Sequence, residues 1–148
     1  MFCFLWFRPW IYERQTDSRM KIDNYKKYSP SLLRIALSLV FLWFGSNQLI
    51  NTELWISFLP SWTGSLPLSQ TSFVLFNGIF EIVLGSLLLL GLLTRIASLL
   101  LSLHLFGIAF SLGYNDLAIR DLGLALATFS VFLHGNDLLC LDNKIKRI

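Results

Sequence analysis

Four stretches of apolar residues follow one another along this chain, at residues 31–50, 72–93, 96–113 and 120–139. Each is about as long as the roughly 20 helical residues needed to cross a hydrocarbon core about 30 Å thick. A water-soluble fold of 148 residues has too much surface for its volume to hide them all. The composition agrees, with 55% hydrophobic and only 14% charged residues, against roughly 25% charged in an average soluble domain. Backbone polar groups in lipid must be satisfied internally, which leaves helices or a closed barrel. Barrel strands alternate apolar and polar residues, and these stretches do not. The expected fold is therefore all-α, an antiparallel integral membrane four-helix bundle.

The segments between the spans set its expected orientation. Residues 51–71 contain no Lys or Arg, whereas the first 34 residues carry Arg8, Arg14, Arg19, Lys21, Lys26, Lys27 and Arg34. Arg95 lies in the short connection between the second and third spans, and the tail holds Lys144, Lys146 and Arg147. By the positive-inside rule both termini face the cytoplasm, and residues 51–71 and 114–119 face outward. Residues 1–30 read as a non-spanning cytoplasmic leader, with Met20 as an alternative start, and residues 142–148 as a basic tail. Trp55, Phe58 and Trp62, around Pro60, suggest a stretch lying at the headgroups. The net charge of +3 does not indicate nucleic acid, because the basic residues flank apolar spans and form no basic face. Cys3 and Cys140 stand at opposite ends of the chain with no C-x-x-C, so neither a redox motif nor a zinc site is indicated.

Ionisable residues inside spans are costly and therefore candidates for function. Glu81 lies about nine residues into the second span, ~13 Å deep at 1.5 Å per residue. His104, on the antiparallel third span, falls at nearly the same level. Glu81 is expected to face the interior with His104 as one partner. Asn47, Gln48, Asn77, Arg120 and Asp121 form an outer polar layer, and Arg34 and His134 an inner one. Residues at i, i+4, i+7 and i+11 share a helix face. Such stripes join Arg34, Ser38, Gly45 and Gln48 on the first span, and Asn77, Gly78, Glu81 and Gly85 on the second. On the fourth they join Gly123, Ala127, Ser130 and His134. Small residues beside polar ones suit close helix contacts, and the stripes are expected to converge on one polar core. A structural hydrogen bond is an equal reading for Glu81, a satisfied interior histidine for His104, and snorkelling to headgroups for Arg34 and, less well, Arg120. The depths of the histidines and Glu81 differ too much for a metal site, and none is expected.

The arrangement resembles the DoxX family of small four-helix bacterial membrane proteins. The resemblance spans roughly residues 30–137. It rests on Arg34 followed by Phe41 to Gln48, on Gly78-Ile79-Phe80-Glu81 with Gly85, on Leu93-Thr94-Arg95, and on Arg120-Asp121-Leu122-Gly123-Leu124. Gln48 departs from the pattern, since many relatives carry Lys there. The resemblance implies an accessory or quinone-contacting subunit of a membrane-associated oxidoreductase, with an oxidoreductase partner and no covalently bound cofactor. In that reading the Glu81-centred core binds a polar head or conducts a proton, with Arg120 assisting from outside. The alternatives are a non-catalytic scaffold closed by a Glu81–Arg120 ion pair and, ranked lower, a small-solute transporter. No catalytic motif appears in the chain, and homo-oligomers are open to a bundle of this size.

Overall fold

Each apolar stretch winds into a helix long enough to cross a bilayer, and among the described residues there is no strand. The structure is a computed structural model that describes residues 25–65 and 67–142. Most of the expected leader and tail, with Cys3 and Met20, lies outside the described residues. The spanning helices are α1 (Ser29–Ile50), α3 (Gln70–Leu90), α4 (Thr94–Leu112) and α5 (Asp116–His134). A short helix α2 (Thr52–Ile56) and a 3-10 turn (Ser61–Ser65) lie between α1 and α3.

Local chemistry sets the ends. Pro30 occupies the first turn of α1, where its missing N–H costs nothing. The side chain of Ser69 accepts from the Ser72 N–H at 3.1 Å and caps α3. Helix α3 stops at Gly91, which is left-handed at φ 68°. The Leu92 N–H then closes onto the Leu87 carbonyl at 2.9 Å, a Schellman-type ending. A side chain at Gly91 would strike the backbone of Cys140, since a Cβ there would sit 2.6 Å from the Cys140 Cα. The α3–α4 hairpin therefore turns at residues 91–93, and Thr94 and Arg95 already belong to α4.

The fourth span differs most from its expected bounds of 120–139. Asn115 accepts from the Ala118 N–H at 2.7 Å and starts α5 four residues earlier. Gly135, at φ 79°, ends it at His134. Residues 116–119 are helical as a result, not part of a loop.

Helix α1 packs chiefly against α3, and α4 against α5, with sparser contact between the two pairs. Glycine makes the first pair tight: a Cβ on Gly45 would lie 2.7 Å from the Gly78 carbonyl oxygen. The second pair meets through Ala97, Ala109, Ala118 and Ala125, and Ser102 donates across it to the Ala125 carbonyl at 3.1 Å. Leu37, Phe41, Leu84, Leu88, Leu101 and Leu105 fill the centre. Leu39, Trp43, Phe76, Val83, Phe110 and Leu133 point outward, as lipid-facing residues should. The interior stripe of α5 is Asp121, Ala125, Thr128 and Val131. The expected stripe of Gly123, Ala127, Ser130 and His134 faces partly or wholly outward, and a Cβ on Gly123 would meet nothing within 4 Å. In lipid a small residue carries no penalty for facing out, so size alone misassigned this face.

Candidate functional site

The buried charged and amide side chains form two clusters, not the single core expected from the sequence. They occupy opposite ends of α1, where the 14 residues from Arg34 to Gln48 amount to about 21 Å of helix. We call them the turn end, after the α3–α4 hairpin, and the loop end, after residues 51–69.

At the turn end Arg34 does not snorkel. It is 1% exposed. Its Nε donates to Asp137 Oδ2 at 2.7 Å, and its Nη1 donates to the Leu88 and Leu89 carbonyls at 2.5 and 2.7 Å. Those carbonyls belong to the last turn of α3, where acceptors lack helical partners and the dipole favours a cation. Asp137 lies beyond α5, in a segment that folds back beneath the bundle. There the Leu141 and Asp142 N–H groups reach the Leu90 and Gly91 carbonyls at 3.4 and 3.2 Å. Burial pushes the Asp137 carboxyl up. The hydrogen bond from Arg34, the Leu139 N–H and the Arg34 charge outweigh this and hold it below its ordinary value. Cys140 is buried beside it, with its sulfur 3.4 Å from Thr94 Oγ1 and accepting the Asp137 N–H at 3.3 Å. Neither Asp137 nor Cys140 stood out in the sequence, since their partners are far away along the chain.

At the loop end Glu81 faces the interior and is 3% exposed. Gln48 Nε2 donates to Glu81 Oε2 at 3.1 Å, and Asn77 Nδ2 donates to Gln48 Oε1 at 2.8 Å and to Glu81 Oε1 at 3.3 Å. His104 is the neighbour expected from the sequence, with Nε2 3.6 Å from Glu81 Oε1. That is too long for a hydrogen bond, and this buried nitrogen has no hydrogen-bond partner among the described residues. Phe80 packs against the imidazole, with ring centroids 5.0 Å apart.

Arg120 does not reach Glu81. Its Nε and Nη2 both lie 2.8 Å from Asp121 Oδ1, and its guanidinium sits 4.9 Å from the centre of the Phe44 ring. The adjacent carboxylate and the aromatic face satisfy it locally. An ion pair between Glu81 and Arg120, the premise of a closed scaffold, is therefore absent.

Between the two helix pairs at this end lies a cavity of about 460 Å³, lined by Glu81, Asn77, Gln48, His104, Arg120 and Asp121. This falls within the range of about 300–1,000 Å³ usual for small-molecule sites. Its remaining wall is mostly apolar and aromatic. Trp55, Phe58 and Trp62 roof it. Trp55 is fixed by donating to Asn47 Oδ1 at 2.9 Å and by edge contact with Phe44, and Trp62 meets Phe73 edge-on. Six of the seven candidate residues thus share one cavity, and Arg34 alone belongs elsewhere. Among the described residues no three His, Cys, Asp or Glu side chains gather closely enough to hold a metal ion.

Comparison with known proteins agrees with this architecture. The family model described as DoxX matches residues 29–113, more than half of the chain and all of α1 to α4. No curated protein and no solved structure matches the chain. The chain belongs to the DoxX family.

Proposed function

We propose that this DoxX protein holds a quinone-type ligand in its loop-end cavity and serves as an accessory subunit of a membrane-associated oxidoreductase. The observation that carries the reading is a largely apolar chamber with a buried carboxylate and an unpartnered imidazole nitrogen on its wall. A quinone is an apolar ring and tail with a few polar oxygens, and the chamber offers the matching surfaces. Aromatic side chains cover the ring, and the polar residues Glu81, His104 and Asn77 stand together on the wall where the oxygen-bearing end of the ring would lie. When bound, such a ligand supplies two-electron chemistry coupled to protons. Glu81 and His104 are the residues that exchange protons with it, being adjacent titratable groups of the cavity wall, 3.6 Å apart.

The proposed orientation places the turn end in the cytoplasm of an inner membrane. Lys26, Lys27, Arg34 and Arg95 lie at that end, and residues 51–69 carry no basic residue. The roofed cavity then opens near the opposite face.

The test is ligand binding by the purified protein in lipid nanodiscs, read through quenching of tryptophan fluorescence by a decyl-substituted benzoquinone. Saturable quenching is expected, reduced in a W55F/W62F variant. G107L should abolish it, because Gly107 lines the cavity and a Cβ there is unobstructed. Quenching that never saturates, or that G107L leaves intact, rules the site out. The subunit assignment is tested separately, by co-purification of an oxidoreductase from native membranes.

A further inference from the structure

The amide donors beside Glu81 are engaged within the wall. Asn77 Nδ2 is shared between Gln48 Oε1 and Glu81 Oε1, and Gln48 Nε2 points to Glu81 Oε2. Neither amide can be flipped. Turning Asn77 would set its oxygen against two acceptor oxygens, and turning Gln48 would oppose its oxygen to the carboxylate and its N–H groups to those of Asn77. Two donors of Arg120, the strongest on the wall, are engaged by Asp121. At Glu81 itself what remains is acceptor capacity. Each Glu81 oxygen takes one amide N–H, whereas a carboxylate offers about four lone-pair sites. A carbonyl oxygen placed there meets oxygen with oxygen.

From this we infer that the cavity is built for a ligand whose inner end donates a hydrogen bond, a ring hydroxyl, and so takes a hydroquinone in preference to the quinone. The inference rests on the function proposed above and specifies which form of the ligand the site prefers. A hydroxyl donating to Glu81 Oε1 places its own oxygen close to His104 Nε2, which now stands 3.6 Å from that carboxylate oxygen without a partner. Among the described residues the imidazole has no hydrogen-bond partner and its side chain is 21% exposed, so a small turn brings Nε2–H onto the hydroxyl oxygen. One hydroxyl then satisfies both the acceptor and the orphaned nitrogen. A carbonyl satisfies only the second, and an ether neither donates to Glu81 nor fits beside it.

Binding of three probes to the full-length protein in nanodiscs separates the possibilities. These are a decyl-substituted benzoquinol, the corresponding benzoquinone and the dimethyl ether of the quinol. The quinol is expected to bind about tenfold more tightly than either other probe, the scale of one buried hydrogen bond. In E81Q an amide donor replaces a carboxylate oxygen, so the order of quinol and quinone should reverse while both still bind. A purely structural Glu81 would weaken all three probes together. Equal binding of quinol and quinone by the wild type, or of quinol and its ether, overturns the preference and leaves the proposed site standing. Failure of all three to bind overturns the site itself. Should E81Q not assemble, the ratio of quinol to ether in the wild type decides the matter alone.

Discussion

At the turn end a buried charge is fully consumed by its surroundings, and at the loop end it is left open. Arg34 directs its donors to Asp137 and to two helix-terminal carbonyls, and the cavity beside Asp137, about 140 Å³, is much the smaller of the two. Glu81 is equally buried but receives only two neutral amides, borders a cavity, and faces a histidine that falls just short of bonding it. The difference lies in how the partners are supplied. Arg34 is neutralised by chain that comes back around the bundle, a connection that ties α1, α3 and the segment after α5 together. Glu81 is surrounded by side chains of separate helices, and the two helix pairs part at its level. Closed polar clusters in lipid hold a fold together, and open ones invite a ligand.

Removing Arg34 should have the largest effect. R34M strands the buried Asp137 carboxylate and the α3 carbonyls, and is expected to lower stability by about 3–5 kcal/mol, measured by unfolding in detergent. R34M/D137L should recover a large part of that loss, since no charge is then left uncompensated. If the double variant is no better than the single one, the turn end is not a coupled pair. G45V comes next. Its side chain must displace the Gly78 carbonyl or Ile82, at about 1–3 kcal/mol, and by prising α1 from α3 it should also disturb the cavity. A G45V protein with wild-type stability and ligand binding would show that the glycine contact is not what closes this pair.

E81Q should change stability by about 1 kcal/mol, because Gln keeps the shape and its single carbonyl oxygen still accepts from one of the two amides. Its effect is expected on ligand binding, and a loss of stability as large as that of R34M would erase the distinction between the two ends. The smallest effect is one of pH. Asp137 titrates below its ordinary 3.8 in the folded protein. Its contribution is therefore complete above that pH and disappears as pH falls through the lower, folded value. The stability gap between wild type and D137N should accordingly narrow as the pH drops below about 4, and a gap that stays constant would deny the ionic character of the clamp.

The loop-end site was largely legible beforehand. The depth of Glu81 in its span required an interior position, and the antiparallel hairpin set His104 at the same level. The period of the helix put Gln48 on the stripe that meets Asn77 and Glu81. The turn end was not legible. Arg34 and Asp137 are 103 positions apart, and the residues after α5 read as more of the fourth span until Gly135 broke it. Arg120 likewise resembled a partner for Glu81 because both are charged and buried in apolar sequence, yet its neighbour Asp121 had already claimed it.

The residues by themselves determined the solvent, the number of crossings and which polar groups had to turn inward, because hydrocarbon penalises each exposed charge or backbone group wherever it occurs. Only the tertiary structure decided how those groups were divided, one cluster sealed by returning chain and the other opened by the gap between helix pairs. Partner choice depends on distances between segments remote along the chain, and periodicity within one helix carries no information about them.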